Sequence, residues 1–230
     1  YGTEKYLALF SPKEDKEIRP FKPLPDSILP VTLSLTFVLL SKEVTKDQLM
    51  KQVISLNQDF SNKTFELSEH KTPYYQKLAV DTQVRFCENF QVIEAYTDGK
   101  LDFALSKEYA LKYNQENRNT ILIFVGNLEN ASGYVQIPGY PTETDAIFID
   151  KKFLYGTNGT IYELGKTLTH LMGSYLGLGK LWDCIDDGIA DTPLMAVEHH
   201  DHVGSWSSCY RYVLHTMPQN FMYNTYDKYL

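Results

Sequence analysis

The chain has 230 residues, 43% of them hydrophobic, enough for one large domain or two closely packed subdomains around a substantial core. Its net charge of −7 and pI near 5.4 argue against a nucleic-acid partner, which favours a basic face. No apolar run approaches the ~20 residues that a membrane-spanning helix needs, and the longest candidate, Val31 to Leu40, suits a buried strand.

Residues 1–30 carry Pro12, Pro20, Pro23, Pro25 and Pro30 among many charges, a density that disfavours helix and central strand and predicts an extended arm. The chain opens at Tyr1 with no Met and no charged-then-apolar leader, as expected of a mature form whose targeting segment has been removed. Thr32 to Leu40 alternates and then becomes wholly apolar, which predicts a strand. Thr45 opens a helix and forms a capping box with Gln48. Leu49, Val53 and Leu56, with Met50 and Ile54, give that helix one apolar stripe through Phe60. After a polar, turn-rich stretch over 61–77, a strand is expected around Gln83 to Cys87, with Cys87 a buried packing residue. A short helix is expected over Tyr109–Gln115. Thr120 to Val125 is a continuous apolar run suited to a central strand. Gly133 to Gly139 resembles an edge strand ended by Pro138, and Asp145–Asp150 another short strand.

Helical spacing returns at Ile161, Leu164, Leu168, Leu171, Tyr175 and Leu178, and Gly177 and Gly179 end it. Beyond Leu181 no strong period appears. The expected architecture is a mixed α/β (α+β) fold: an arm over 1–30, an upper unit over 31–178 and an irregular lower unit over 179–230.

The segment Thr167 to Lys180 carries the chemistry. It reads Thr-Leu-Thr-His-Leu-Met-Gly-Ser-Tyr-Leu-Gly-Leu-Gly-Lys. It resembles the zinc helix of the pappalysin-type metzincins, within the general pattern H-E-x-x-H-x-x-G-x-x-H. Thr167, Leu168, Thr169, His170, Gly173, Tyr175, Leu176, Gly177 and Leu178 match the family's line. Asp187 to Pro193 is similar to its D-x-V-x-D-T-P segment, and Asn220-Phe-Met222 to its Met-turn. Gly133, Tyr134 and Val135, running on to Pro138, look like its cleft edge strand. Gln52 to Phe60 resembles its backing-helix segment Q-x-x-x-L-N-x-D-F. The likeness covers about residues 31–226. It implies a zincin-like fold, a twisted mixed sheet with a backing helix and an active-site helix above a lower subdomain.

The departures weigh as much as the matches. Laid on the motif, His170 takes the first ligand position, while Leu171 stands where the catalytic Glu belongs. Ser174 and Lys180 stand where the second and third His belong. A hydroxyl is a poor zinc ligand, an ammonium offers no lone pair, and Leu171 accepts no proton. A zinc site needs three or four protein ligands, so catalytic zinc is not expected and His170 is a vestigial zinc position. The family's M-D-Y becomes Met222-Tyr223-Asn224, which displaces its tyrosine by one residue. The family's closing helix would lie beyond Leu230, which leaves a truncated form open.

Three further groups follow from the resemblance or from composition. Asp187, Asp191 and Thr192, beside Asp186, would suit a calcium loop, or an acidic turn capping its own backbone. His199, His200 and His202 form a metal-capable cluster with Glu198 and Asp201 that otherwise reads as a solvated loop tip. The resemblance implies a Cys184–Cys209 disulfide in an exported protein, worth about 3 kcal/mol in the chain-entropy model; in a reducing compartment these would be two free thiols. The leading expectation is an exported, extracytoplasmic pseudopeptidase that serves as a protein- or peptide-binding or structural module, with no nucleic acid and no transmembrane span. Its rivals are a zinc endopeptidase with an atypical metal shell, and an adhesion or assembly component whose cleft is vestigial.

Overall fold

The computed structural model describes residues 30–63, 81–114, 116–117, 119–136, 142–157 and 164–178. The arm before residue 30, the whole lower unit and the sites expected in it lie outside the described residues.

The elements are, in chain order, β1 (Val31–Leu33), β2 (Leu35–Leu39), α1 (Lys46–Phe60), β3 (Val84–Phe86), β4 (Gln91–Glu94), α2 (Phe103–Asn114), β5 (Ile121–Gly126), β6 (Gly133–Gln136), β7 (Ala146–Asp150) and α3 (Lys166–Tyr175). Strands β1 and β3 pair in parallel as a small separate sheet, Val31 opposite Val84. The main sheet has five strands in the order β4-β2-β5-β7-β6. Its first four are parallel, with Phe37 opposite both Val92 and Ile123, and Ile123 opposite Ile147. Only β6 runs antiparallel, at the edge, with Tyr134 opposite Phe148.

Every residue of β2, β5 and β7 is buried. A parallel sheet must be covered on both faces, and strand alternation divides these side chains between two cores. Phe37, Ile123, Val125, Ile147 and Ile149 face α1 and α3 with Leu49, Val53, Leu56, Leu168 and Met172. Val38, Leu122, Phe124 and Phe148 face the other way, against Ala110 of α2. The rings of Phe124 and Phe148 stack there at 4.7 Å.

Several expected elements shift. The run expected as one strand is two, broken at Ser34. The short helix expected from Tyr109 starts six residues earlier, at Phe103. Cys87 is half-buried beyond the end of β3, not a core residue; its amide still bonds the Leu33 carbonyl at 2.9 Å. The helix expected from Ile161 begins at Lys166, because Gly165 is left-handed at φ 72° and caps it. The capping box at Thr45 is half formed: the Gln48 amide donates to Thr45 Oγ1 at 3.2 Å, but the Gln48 side chain reaches the Tyr155 carbonyl at 3.3 Å instead.

The polar residues of α1 fasten the fold. Gln52 is fully buried; its amide nitrogen donates to the Gly165 carbonyl at 2.9 Å and its oxygen accepts from the Tyr155 amide at 2.8 Å. Ser55 Oγ donates to the Leu164 carbonyl at 3.0 Å. Asn57 reads both backbone groups of Phe86, at 2.8 and 2.9 Å, and fixes β3. Asp59 pairs with Lys166 and accepts from Thr169 Oγ1 at 2.5 Å, so this largely buried carboxylate has two partners on α3.

Removing one partner of a buried ion pair strands the other charge. Asp59→Ala is expected to cost about 3 kcal/mol in urea unfolding, and Asp59→Asn distinctly less because it still accepts from Thr169. Equal costs for the two variants would show that the Thr169 hydrogen bond contributes nothing, and a negligible cost for both that Asp59 does not hold Lys166.

Tyr175 supplies a pH dependence. Burial, and behind it the negative charge of Asp145, pushes its phenol up from 10.0 to about 12. Below pH 10 both folded and unfolded chains keep the proton, and the contribution is fully present. Between 10 and about 12 the unfolded chain ionises first, so stability is lost as pH rises through that window. Alkaline urea melts of the wild type should fall more steeply there than those of Tyr175→Phe; parallel profiles would refute this.

Candidate functional site

Helix α3 lies on the sheet beside α1 and touches β6 and β7. Its sequence dictates which side faces down. Leu168, Leu171 and Met172 recur at i, i+3 and i+4, and all three are buried in the core shared with α1. His170 and Ser174, at i and i+4, share another face of the helix and are half-buried. An imidazole and a hydroxyl therefore stand one turn apart on the less covered side of α3. His170 has an interaction partner within the protein.

Both ends of α3 are fixed by local chemistry. At the start, left-handed Gly165 lies against the Gln52 amide, where an added Cβ would meet Gln52 Nε2 at 2.7 Å. At the end, Gly177 is left-handed at φ 99°. Its amide donates to the Ser174 carbonyl at 3.1 Å, and the Leu178 amide to the Gly173 carbonyl at 3.0 Å. This is a Schellman motif, with Gly177 at the left-handed position that a Cβ would strain. Leu178 folds back over Gly173, where a Cβ would sit 3.2 Å from Leu178 Cδ1. The glycine at 177 thus turns the chain out of the helix, as the motif spacing implies.

The edge strand has two unlike faces. Val135 points to the α3 side and joins the core there. Gly133 also lies on that side, directly over Leu171: a Cβ at 133 would come within 2.5 Å of Leu171 Cδ1 and 2.8 Å of the Phe148 carbonyl oxygen. Tyr134 points to the opposite side. Its ring stacks on Phe148 at 5.0 Å, and its hydroxyl hydrogen-bonds Ser106 Oγ of α2. Of the three edge-strand residues singled out in the sequence, Gly133 and Val135 therefore border α3, while the Tyr134 side chain serves the other core.

The structure brings Leu171 together with Gly133 and, in the same core, Val135, while His170 and Ser174 stand on another face of α3. Lys180, Cys184, Asp187, Asp191, Thr192, His199, His200, His202, Cys209 and Met222 lie outside the described residues. Of the zinc-helix positions, the first, second and fifth are thus placed: His170 and Ser174 half-buried, Leu171 buried in apolar surroundings. The residues that aim α3, Asp59, Lys166 and Thr169, were not singled out as site residues, although Asp59 falls in the backing-helix segment. The signal was a carboxylate at the end of one helix and a lysine opening another, which becomes a pair only once both helices are placed.

No family model matches the sequence, and no curated protein matches it. Among solved structures the fold is similar to that of mirolysin, a metzincin-type metallopeptidase whose structure was determined in complex with compound 9. The two share 21% sequence identity over 71% of each chain, with a TM-score of 0.61. At that identity the likeness is one of fold. The mixed sheet with its antiparallel edge strand, backed by α1 and α3, is a metzincin-like, zincin-type α/β fold.

Proposed function

We propose that this chain is an exported pappalysin-like pseudopeptidase, a metallopeptidase fold that binds a protein or peptide partner without hydrolysing it. The observation that carries the reading is the environment of Leu171. At the motif position of a general base stands an aliphatic side chain, buried in the core and covered by Gly133. It can neither polarise water nor accept a proton.

The donor set supports the same reading. His170 brings one imidazole, whereas Ser174 and Lys180 bring a neutral hydroxyl and an ammonium at the other two ligand positions of the motif. Three or four nitrogen, sulfur or carboxylate ligands are what zinc requires, and this set does not fit it. What remains useful is the edge strand. Strand β6 pairs, among the described residues, with β7 on one side, so an extended peptide would add to its other side through main-chain hydrogen bonds. Among the described residues no helix is long and apolar enough to cross a membrane. A calcium ion held near Asp187, Asp191 and Thr192, and a Cys184–Cys209 disulfide, belong to this reading as accompanying proposals.

Metal analysis of the purified chain is the decisive measurement. The expected result is zinc well below one equivalent, a melting temperature unmoved by a zinc chelator, and no cleavage of a peptide library. Stoichiometric zinc that disappears in His170→Ala would overturn the proposal. It would establish the rival reading, a metallopeptidase whose shell draws on His199, His200 or His202.

A further inference from the structure

We propose that Leu171 is a latch that docks the edge strand β6 onto α3, an apolar contact fixing the sheet's open edge from the α3 face. This goes beyond the absence of a catalytic carboxylate, and it holds whether or not the edge receives a peptide.

Strand β6 is four residues long and, among the described residues, carries one ladder, to β7. A short edge strand with one neighbour is prone to fraying, so its faces must hold it. On the α2 face the hold is Tyr134, stacked on Phe148 and hydrogen-bonded to Ser106 Oγ, with a longer contact from its hydroxyl to the Asp102 carbonyl at 3.4 Å. On the α3 face Val135 is buried in the core, while Gly133 offers no side chain. Leu171 fills the space that Gly133 leaves. Its Cδ1 stands 2.5 Å from where a Cβ would be, and its Cδ2 3.4 Å. The leucine is 6% exposed although it borders the edge of the sheet. Nor is Gly133 explained by its backbone: it is not among the positive-φ glycines, which among the described residues are Gly156, Gly165 and Gly177. Space for Leu171 and for the Phe148 carbonyl is what position 133 requires. Glycine and leucine thus form a matched pair across the α3–β6 contact.

Hydrogen exchange with peptide-level readout on the full chain tests this. Leu171→Ala should accelerate exchange in β6 by about tenfold or more, the least that a buried Leu→Ala cavity implies when its cost falls on local opening. Exchange in β2 and β5 should stay as in the wild type. Leu171→Val, which leaves a smaller cavity, should show the same local pattern at lower amplitude, and Leu171→Met, which conserves volume, should preserve protection. Gly133→Ala should also release β6, and adding Leu171→Ala to it should cost less than the sum of the two single effects, because the clash with Cδ1 is gone. Unchanged β6 protection in both Leu171→Ala and Leu171→Val overturns the proposal. So does acceleration spread equally over β2 and β5, which would make Leu171 an ordinary core residue. Strict additivity of the 133 and 171 substitutions would also sink it.

Discussion

The attachment of α3 to α1 is the constraint on which the site depends. Helix α3 covers the β6–β7 end of the sheet, and it touches α1 along one side. Apolar packing by Leu168 and Met172 supplies most of the driving force, but packing alone leaves a helix free to slide or roll. Asp59 removes that freedom. One carboxylate at the end of α1 takes both Lys166 and Thr169, which are three residues apart on α3 and so lie on one of its faces. Gln52 and Ser55 hold the entry to the helix from the same side. With rotation fixed, Leu171 must point into the core beneath β6, and His170 and Ser174 must stand on the less covered face.

Much of this was legible before any coordinates. The run from Thr45 to Phe60 reads as a helix with an apolar stripe, of which Leu49, Val53 and Leu56 are buried while Ile54 is exposed, and the resemblance of Gln52 to Phe60 to a backing-helix segment picks out polar residues that act as fasteners. Gln52, Asn57 and Asp59 each bond a different part of the chain. The continuous apolar run of β5 reads as a central strand and is one, and the runs that hold β2 and β7 read as strands; that these two are buried on both faces is seen only in the fold. Gly177 read as a helix stop because the left-handed residue of a Schellman motif favours glycine.

What escaped the sequence escaped for identifiable reasons. Strand β4 shows the burial order exposed, half-buried, half-buried, exposed, a pattern that alternates in neither sense. Helix α2 buries only Ser106 and Ala110, so it has no apolar stripe, while Phe103 and Leu105 remain exposed. Its start was therefore invisible to periodicity. The apolar spacing of Ile161 and Leu164 extended the third helix too far forward, because periodicity does not see a glycine committed to a left-handed cap. The facing of Tyr134 was equally hidden. Alternation says that it opposes its neighbours, but which core receives it follows from where α2 and α3 pack.

The contact of Leu171 with Gly133 bears on what position 171 can hold. A carboxylate at position 171 would need room, water or hydrogen-bond donors; among the described residues Leu171 is packed with the apolar side chains of the core. Burying an ionised group there without a partner would cost several kcal/mol. On the proposed reading, then, the residue at 171 and the edge strand above it form one packing unit. Restoring a glutamate would not by itself restore a general base, because the same substitution would loosen the strand that frames the cleft. The leucine is bound up with the stability of the edge, and the position is held by packing as firmly as a catalytic residue is held by its chemistry.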